Sequence, residues 1–231
     1  MISVIMAVHK GDKNIKAQLR SVLSQLSFGD EVIVSDDRPG EITERIVRQI
    51  AATDSRVVWV EGKNKGATAN FVNAIRHCKG DKIFFCDCKD VWLPDKVKRV
   101  MEEFSQGADL VVHNAYITDD SLNITDYSLF EKYKVNKYAL VNIFRNSMML
   151  SCMAVDRKIL RKVMPVPRSI PSLAQWIGVV AGIYGKVRLV DIPLMYCRVY
   201  KKDRAAFEAS FRVRGNASFI SKLYKRVVFG N

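Results

Sequence analysis

Phe84-Phe85-Cys86-Asp87-Cys88-Lys89-Asp90-Val91-Trp92-Leu93-Pro94 is the stretch that decides how this chain folds. An apolar strand runs into clustered acids, and a helix opens after Leu93-Pro94. An α/β sheet presents carboxylates in this way at the carboxyl end of a strand, where such sheets bind their ligands. Carboxylates placed there usually hold a divalent cation against a diphosphate. Here Lys89 stands among them, so a metal site cannot be assumed.

Upstream of that stretch the pattern alternates by period. Residues 3–8 read as a strand, and 13–25 as a helix with Ile15, Leu19, Val22, Leu23 and Leu26 on one face. The second strand, 31–35, ends at a turn, Asp36-Asp37-Arg38-Pro39-Gly40. Helix 42–52, strand 56–61, loop Lys63-Asn64-Lys65-Gly66, helix 67–78 and strand 81–86 follow. Strands alternating with helices imply right-handed βαβ units and a mostly parallel central sheet flanked by helices. Beyond Trp92 the rhythm changes: helix 96–105, strand 109–113, a polar connection 119–126, strand 148–155, helix 172–184, then strands 186–190 and 194–200. From Ala205 an amphipathic pattern carries Phe207, Phe211, Phe219, Ile220, Leu223 and Tyr224. The expected organisation is one α/β domain over residues 1–203 with a basic, amphipathic helical tail over 204–231.

The 231 residues suffice for one large domain with a substantial core. No apolar run approaches the ~18 residues a membrane-spanning helix needs. The strand-like Ile2-Ser3-Val4 start lacks the charged, apolar and cleavage regions of a signal peptide, and a cytoplasmic protein is expected. Five cysteines form neither a disulfide framework nor a zinc-like pair of pairs and read as reduced thiols that fill space. The net charge of +13 is concentrated in the tail, where residues 198–231 carry nine Lys/Arg against two acids. Such a tail suits anionic lipid, nucleic acid or a phosphorylated substrate. No nucleic-acid module accompanies the charge, so nucleic acid is not expected as a partner.

In this order and spacing the residues resemble a family 2 glycosyltransferase of the GT-A fold, in the bacterial polysaccharide branch. The resemblance runs from Ile2 to about Tyr196 and is carried by Ser35-Asp36-Asp37, Asn64-Lys65-Gly66 with Asn70-Phe71, the 84–94 stretch, Asn146-Ser147 and Trp176-Ile177-Gly178. It implies a UDP- or dTDP-type nucleotide-sugar donor and a glycan or lipid-linked acceptor. Asp37 would meet the base beside Asp36, with Lys65, Asp87, Lys89 and Asp90 around the rest of the donor. Read from spacing alone, Asp37 serves equally well as a turn or helix cap, and Lys63 and Lys65 as a solvated loop. His9 and Lys10 stand where the family often has Tyr and Asn.

Three departures bear on chemistry. Where the family has Asp-Gln-Asp-Asp, this chain has Asp87-Cys88-Lys89-Asp90, so an ammonium replaces the metal-ligating carboxylate. An ammonium repels a divalent ion and can bind diphosphate itself as a point charge, so no metal cofactor is expected. Ala174 stands where the family's general base precedes Trp176-Ile177-Gly178, and alanine cannot take a proton. Val199 stands where the family often has histidine near the diphosphate. A slip in alignment would leave Asp90 to replace residue 89 and Asp191 or another acid to serve as base. Two functions follow from the resemblance. One is sugar transfer in cell-surface polysaccharide biosynthesis of the O-antigen or capsule type. The other is a catalytically impaired relative that serves as a binding or scaffold subunit, docking a partner glycosyltransferase. The tail adds a third expectation, contact with an anionic membrane at the inner face.

Overall fold

β1 (Ile2–Val8) is buried at every position but one, as a strand must be when both faces of a parallel sheet are covered. The computed structural model describes residues 1–9, 13–38, 42–168 and 170–229; Lys10 and the Pro39-Gly40 end of the expected turn lie outside them. α1 (Ile15–Leu23) buries Ile15, Leu19 and Val22 on its sheet-facing side. β2 (Glu31–Asp36), α2 (Ile42–Ala51), β3 (Val57–Glu61), α3 (Ala67–His77) and β4 (Lys82–Asp87) continue the alternation. β3, β2, β1 and β4 pair in that order, all parallel, so their carboxyl ends share one edge.

The second half makes the sheet mixed. β5 (Val91–Trp92) and α4 (Lys96–Ser105) precede β6 (Leu110–Thr118), β8 (Met153–Asp156) and β9 (Val187–Arg198). β8 runs antiparallel between β4 and β6, β9 lies parallel to β6, and β5 closes the edge antiparallel to β9. The parallel expectation therefore holds for the first four strands. The two strands expected at 186–190 and 194–200 are one. Its apparent break is a bulge, where the register shifts between His113 and Asn114 and Pro193 takes the position opposite Asn114. The polar connection contains a short strand, β7 (Ile124–Asp126), paired antiparallel with β6. Residues 148–155 are strand only from Met153, because 150–152 form a single 3-10 turn.

α5 (Leu129–Tyr133), α6 (Ala139–Phe144) and α7 (Arg157–Val163) were not anticipated, since five to seven residues are too few to display a helical period. α8 (Leu173–Tyr184) is buried continuously from Leu173 to Ala181 and is apolar on nearly every side, the signature of a helix enclosed by others. α7 holds one flank through Trp176 Nε1, which donates to the Val163 carbonyl at 3.0 Å.

The tail folds back onto this body as α9 (Arg204–Ser210) and α10 (Ala217–Phe229). Phe211 stacks on Tyr133 with ring centroids 3.8 Å apart, and Phe219 meets Trp176 edge-on at 5.7 Å. Arg226, expected on the basic outer face, is buried instead: its guanidinium donates to the carbonyls of Lys162, Met164 and Pro165 at 2.6–2.8 Å. Phe211, Phe219 and Leu223 thus join the core, while Ile220 and Tyr224 stay outside.

Candidate active site

Two asparagines of α3 tie the strand ends together. Asn70 Nδ2 donates to the Val8 and Ser35 carbonyls, both at 2.9 Å, and its Oδ1 accepts from the Ser35 hydroxyl. Asn73 Nδ2 donates to Ser35 Oγ and to the Glu61 carbonyl. β1, β2 and β3 are thereby held in register where ligands of such a sheet bind.

Asp36 and Asp37 sit at that edge, both buried. Asp36 Oδ1 accepts from the Arg38 amide at 3.0 Å, which is the turn cap that spacing allows. Asp37 Oδ1 accepts from the Asn64 amide at 3.0 Å, so it gathers the loop before α3 rather than capping its own turn. Gly62 makes this approach possible: a Cβ there would lie 2.5 Å from Asp37 Oδ1 and 2.7 Å from the Asp36 carbonyl. Lys63 and Lys65 are exposed on the same loop. Gly66, at φ +86°, turns the chain into α3, whose first residues reach an open space.

That space is an open cavity of about 650 Å³. Asp87, Lys89 and Asp90 form one side with Ala67, Thr68 and Phe71 of α3. Ser172, Leu173 and Ala174, at the start of α8, stand along it, as do Val199 and Arg198 at the end of β9. The three departures from the family pattern, Lys89, Ala174 and Val199, therefore line one cavity. Asp36, Asp37 and Lys65 do not line it; they lie at the neighbouring strand ends, joined to it by the loop into α3.

Lys89 is held rather than released to solvent. Its Nζ lies 3.5 Å from Asp203 Oδ2 and 5.4 Å from the centre of the Tyr200 ring. Burial works against its charge, but Asp87 and then Asp203 outweigh that, and its pKa is raised above an ordinary lysine's. Asp87 Oδ1 accepts from the Lys89 amide at 3.0 Å. Asp90 is buried beneath; its Oδ1 accepts from the Arg198 amide at 3.0 Å. Burial, followed by the charge of Asp87, pushes the Asp90 carboxyl up to about 8. Deeper still, Lys96 is enclosed, with Nζ 3.2 Å from the Ser151 carbonyl and 4.1 Å from the Trp92 ring centre. Burial pulls its pKa down to about 8.

A divalent cation does not suit this donor set. An ammonium stands at the ligating position, one oxygen of Asp90 is engaged by Arg198, and among the described residues no three His, Cys, Asp or Glu side chains converge as a metal cluster. The carboxyl groups that line the cavity are those of Asp87, Asp90 and Asp203. Asp87 accepts from the Lys89 amide, Asp203 is paired with Lys89, burial raises the pKa of Asp90, and Ala174 carries only a methyl group. Asp191, the other candidate base, is exposed on β9 outside the cavity, where its Oδ1 accepts from Asn114 Nδ2 at 2.8 Å.

Several cavity residues escape sequence reasoning. Ala206, Phe207 and Ser210 of α9 and Val213 beyond it form a wall, so the tail belongs to the site. The signal was present in the apolar face of 205–211, which needs a surface to cover. Arg198, whose Nε donates to the Lys89 carbonyl at 2.9 Å while its amide holds Asp90, had no local signal.

The sheet order, the strand-end acids and the cavity define a GT-A-type nucleotide-diphospho-sugar transferase fold. The profile described as Glycosyl transferase family 2 matches residues 3–164, and the chain belongs to that family. An uncharacterized glycosyltransferase of Nostoc sp. is 23% identical over 225 residues, covering 90% of this chain and 68% of that protein. An Escherichia coli protein, the UDP-Glc:alpha-D-GlcNAc-diphosphoundecaprenol beta-1,3-glucosyltransferase WfaP, is 32% identical over 98 residues, 42% of this chain and 38% of its own length. Across the curated relatives first matched, the chain spans from 18% to 68% of the relative's length. Among solved structures, Staphylococcus aureus TarS 1–349 in complex with UDP-GlcNAc superposes with a TM-score of 0.67 at 15% identity, covering 86% of this chain and 58% of that one. The mannosyltransferase PcManGT of Pyrobaculum calidifontis, in complex with GDP-Man and Mn2+, gives 0.71 at 18%, covering 90% and 60%. At these identities the structural likeness is one of fold.

Proposed function

We propose that this chain binds a nucleoside diphosphate sugar of the UDP or dTDP type across the strand ends and serves bacterial cell-surface polysaccharide biosynthesis of the O-antigen or capsule type. Asp37 and the adjoining loop, with Asp36 and Lys65 beside it, take the nucleoside end. Lys89 meets the diphosphate directly, without a divalent metal, between Asp87 and Asp90. The observation that carries this reading is the position of Lys89: a charged lysine, held by Asp203 and Tyr200, stands in the cavity at the position where the family resemblance implies a metal-binding carboxylate. In the transfer a hydroxyl of a glycan or lipid-linked acceptor attacks the anomeric carbon of the sugar. The bond from that carbon to the diphosphate breaks, the nucleoside diphosphate leaves, and the hydroxyl proton passes to a base.

Ala174 favours a second reading, in which the chain binds the donor but transfers sugar slowly or not at all, and acts as a scaffold beside a partner glycosyltransferase. A positioned general base contributes about 10²–10⁴-fold, and metal charge stabilisation several kcal/mol more. A donor-and-acceptor screen separates the two. The scaffold reading expects turnover near background. Robust turnover that survives Ala174→Leu and disappears in Asp191→Asn would establish a base elsewhere and end it.

A further inference from the structure

Two helices on one side of the molecule leave apolar stripes uncovered. α6 exposes Leu140 (71%) and Phe144 (65%), one turn apart. α10 exposes Ile220, Tyr224 (62%) and Val227, spaced to share a face, while the adjacent face of Phe219, Leu223 and Arg226 is buried. Both helices pack on α8. A Cβ on Gly182 would touch Ala139 of α6 at 3.0 Å, and Tyr184 Oη donates to the Arg226 carbonyl of α10 at 2.9 Å. Ile183, between those two contacts, is itself exposed. The Gly215 amide donates to the Ile143 carbonyl at 2.9 Å, which fastens the chain entering α10 to the end of α6. The stripes therefore flank one helix and are joined at their base.

The charge on both segments has a single sign, and Glu208 is an acid beside them, near Arg145 and Arg212. Residues 132–155 contain four Lys/Arg and residues 209–231 contain five, with no Asp or Glu in either segment. Arg226 faces inward; Lys137, Arg212, Arg214 and Lys225 are exposed. Exposed aliphatic and aromatic side chains on segments whose only charges are cations match the boundary between acyl chains and anionic headgroups. A nucleic acid would use the cations but leave Leu140 and Phe144 in water. Among the described residues no helix is long and apolar enough to cross a membrane, so the contact is one of lying on the bilayer.

We propose that α6 and α10 together form a docking surface for an anionic lipid bilayer. The inference stands apart from the donor site, and its test contains no nucleotide, so either can fail alone. The full chain is co-sedimented with vesicles of phosphatidylcholine and phosphatidylglycerol, and with vesicles of phosphatidylcholine alone. Binding is expected to the anionic vesicles only, to weaken with salt, and to fall roughly tenfold or more in Phe144→Glu and in Tyr224→Glu. Both positions are exposed, and circular dichroism checks that each variant is folded; Leu140→Ser with Ile220→Ser is a milder pair that should also lose affinity. No binding to anionic vesicles would overturn the proposal. Equal binding to neutral vesicles would do so too. Binding unchanged by all of these variants would mean adsorption by charge alone, the behaviour expected of a site for a soluble polyanion.

Discussion

Lys89 puts an ammonium into a cavity whose scaffold is the family's. Its departure from the family pattern was legible in the sequence, as were those of Ala174 and Val199, but only against a known motif. Their convergence on one cavity needed the structure, because β4, α8 and β9 meet there from distant parts of the chain. The partner that holds Lys89, Asp203, had no local signature at all. Lys96 was equally hidden: a lysine in an amphipathic helix reads as surface, yet it is 1% exposed. Its lowered pKa has a consequence for stability. Below about pH 8 the folded protein carries that buried charge at full cost. Between about 8 and about 10.5 the folded state has lost the proton and the unfolded chain still binds it, so the unfolding free energy rises through that window. Lys96→Met should remove that rise and stabilise the protein at neutral pH by at most about 3 kcal/mol. Urea unfolding at a series of pH values checks this; parallel curves for the two proteins would show that Lys96 is not an uncompensated charge.

At the scale of elements, the first four strands and their helices were legible, because long apolar runs and amphipathic periods are strong signals. The second half was less so. β9 was divided by its bulge at Pro193, and α5, α6 and α7 were too short to declare a period. The tail was recognised as amphipathic, yet the surface it covers could not be read. It packs Phe211, Phe219 and Leu223 into the core and walls the cavity with Phe207. Burying each such side chain is worth about 1.5–3 kcal/mol, and a whole domain is stable by only about 5–15 kcal/mol. Truncation after Asp203 should therefore yield an unfolded or aggregating chain. Phe219→Ala, which empties the space against Trp176, should cost about 3–5 kcal/mol in denaturant unfolding. A truncated protein with native circular dichroism and an unchanged unfolding midpoint would mean the tail is an appendage after all.

The whole molecule combines a family scaffold with a cavity that sets Lys89 among Asp87, Asp90 and Asp203. The asparagine-tied edge fixes the strand ends, and Lys89, held by Asp203, supplies the positive charge for an anion. Titration calorimetry of the full chain with UDP- and dTDP-sugars, in chelator and then in Mn²⁺, tests that claim most directly. The account predicts binding that changes little between the two conditions. It also predicts a loss of roughly 1.5–3 kcal/mol in Asp37→Ala, the range for a hydrogen bond to a charged group. In Lys89→Asp, binding in chelator should fall further and become responsive to Mn²⁺. Binding by the unmodified chain that requires Mn²⁺, or no binding of any nucleoside diphosphate under either condition, would contradict it.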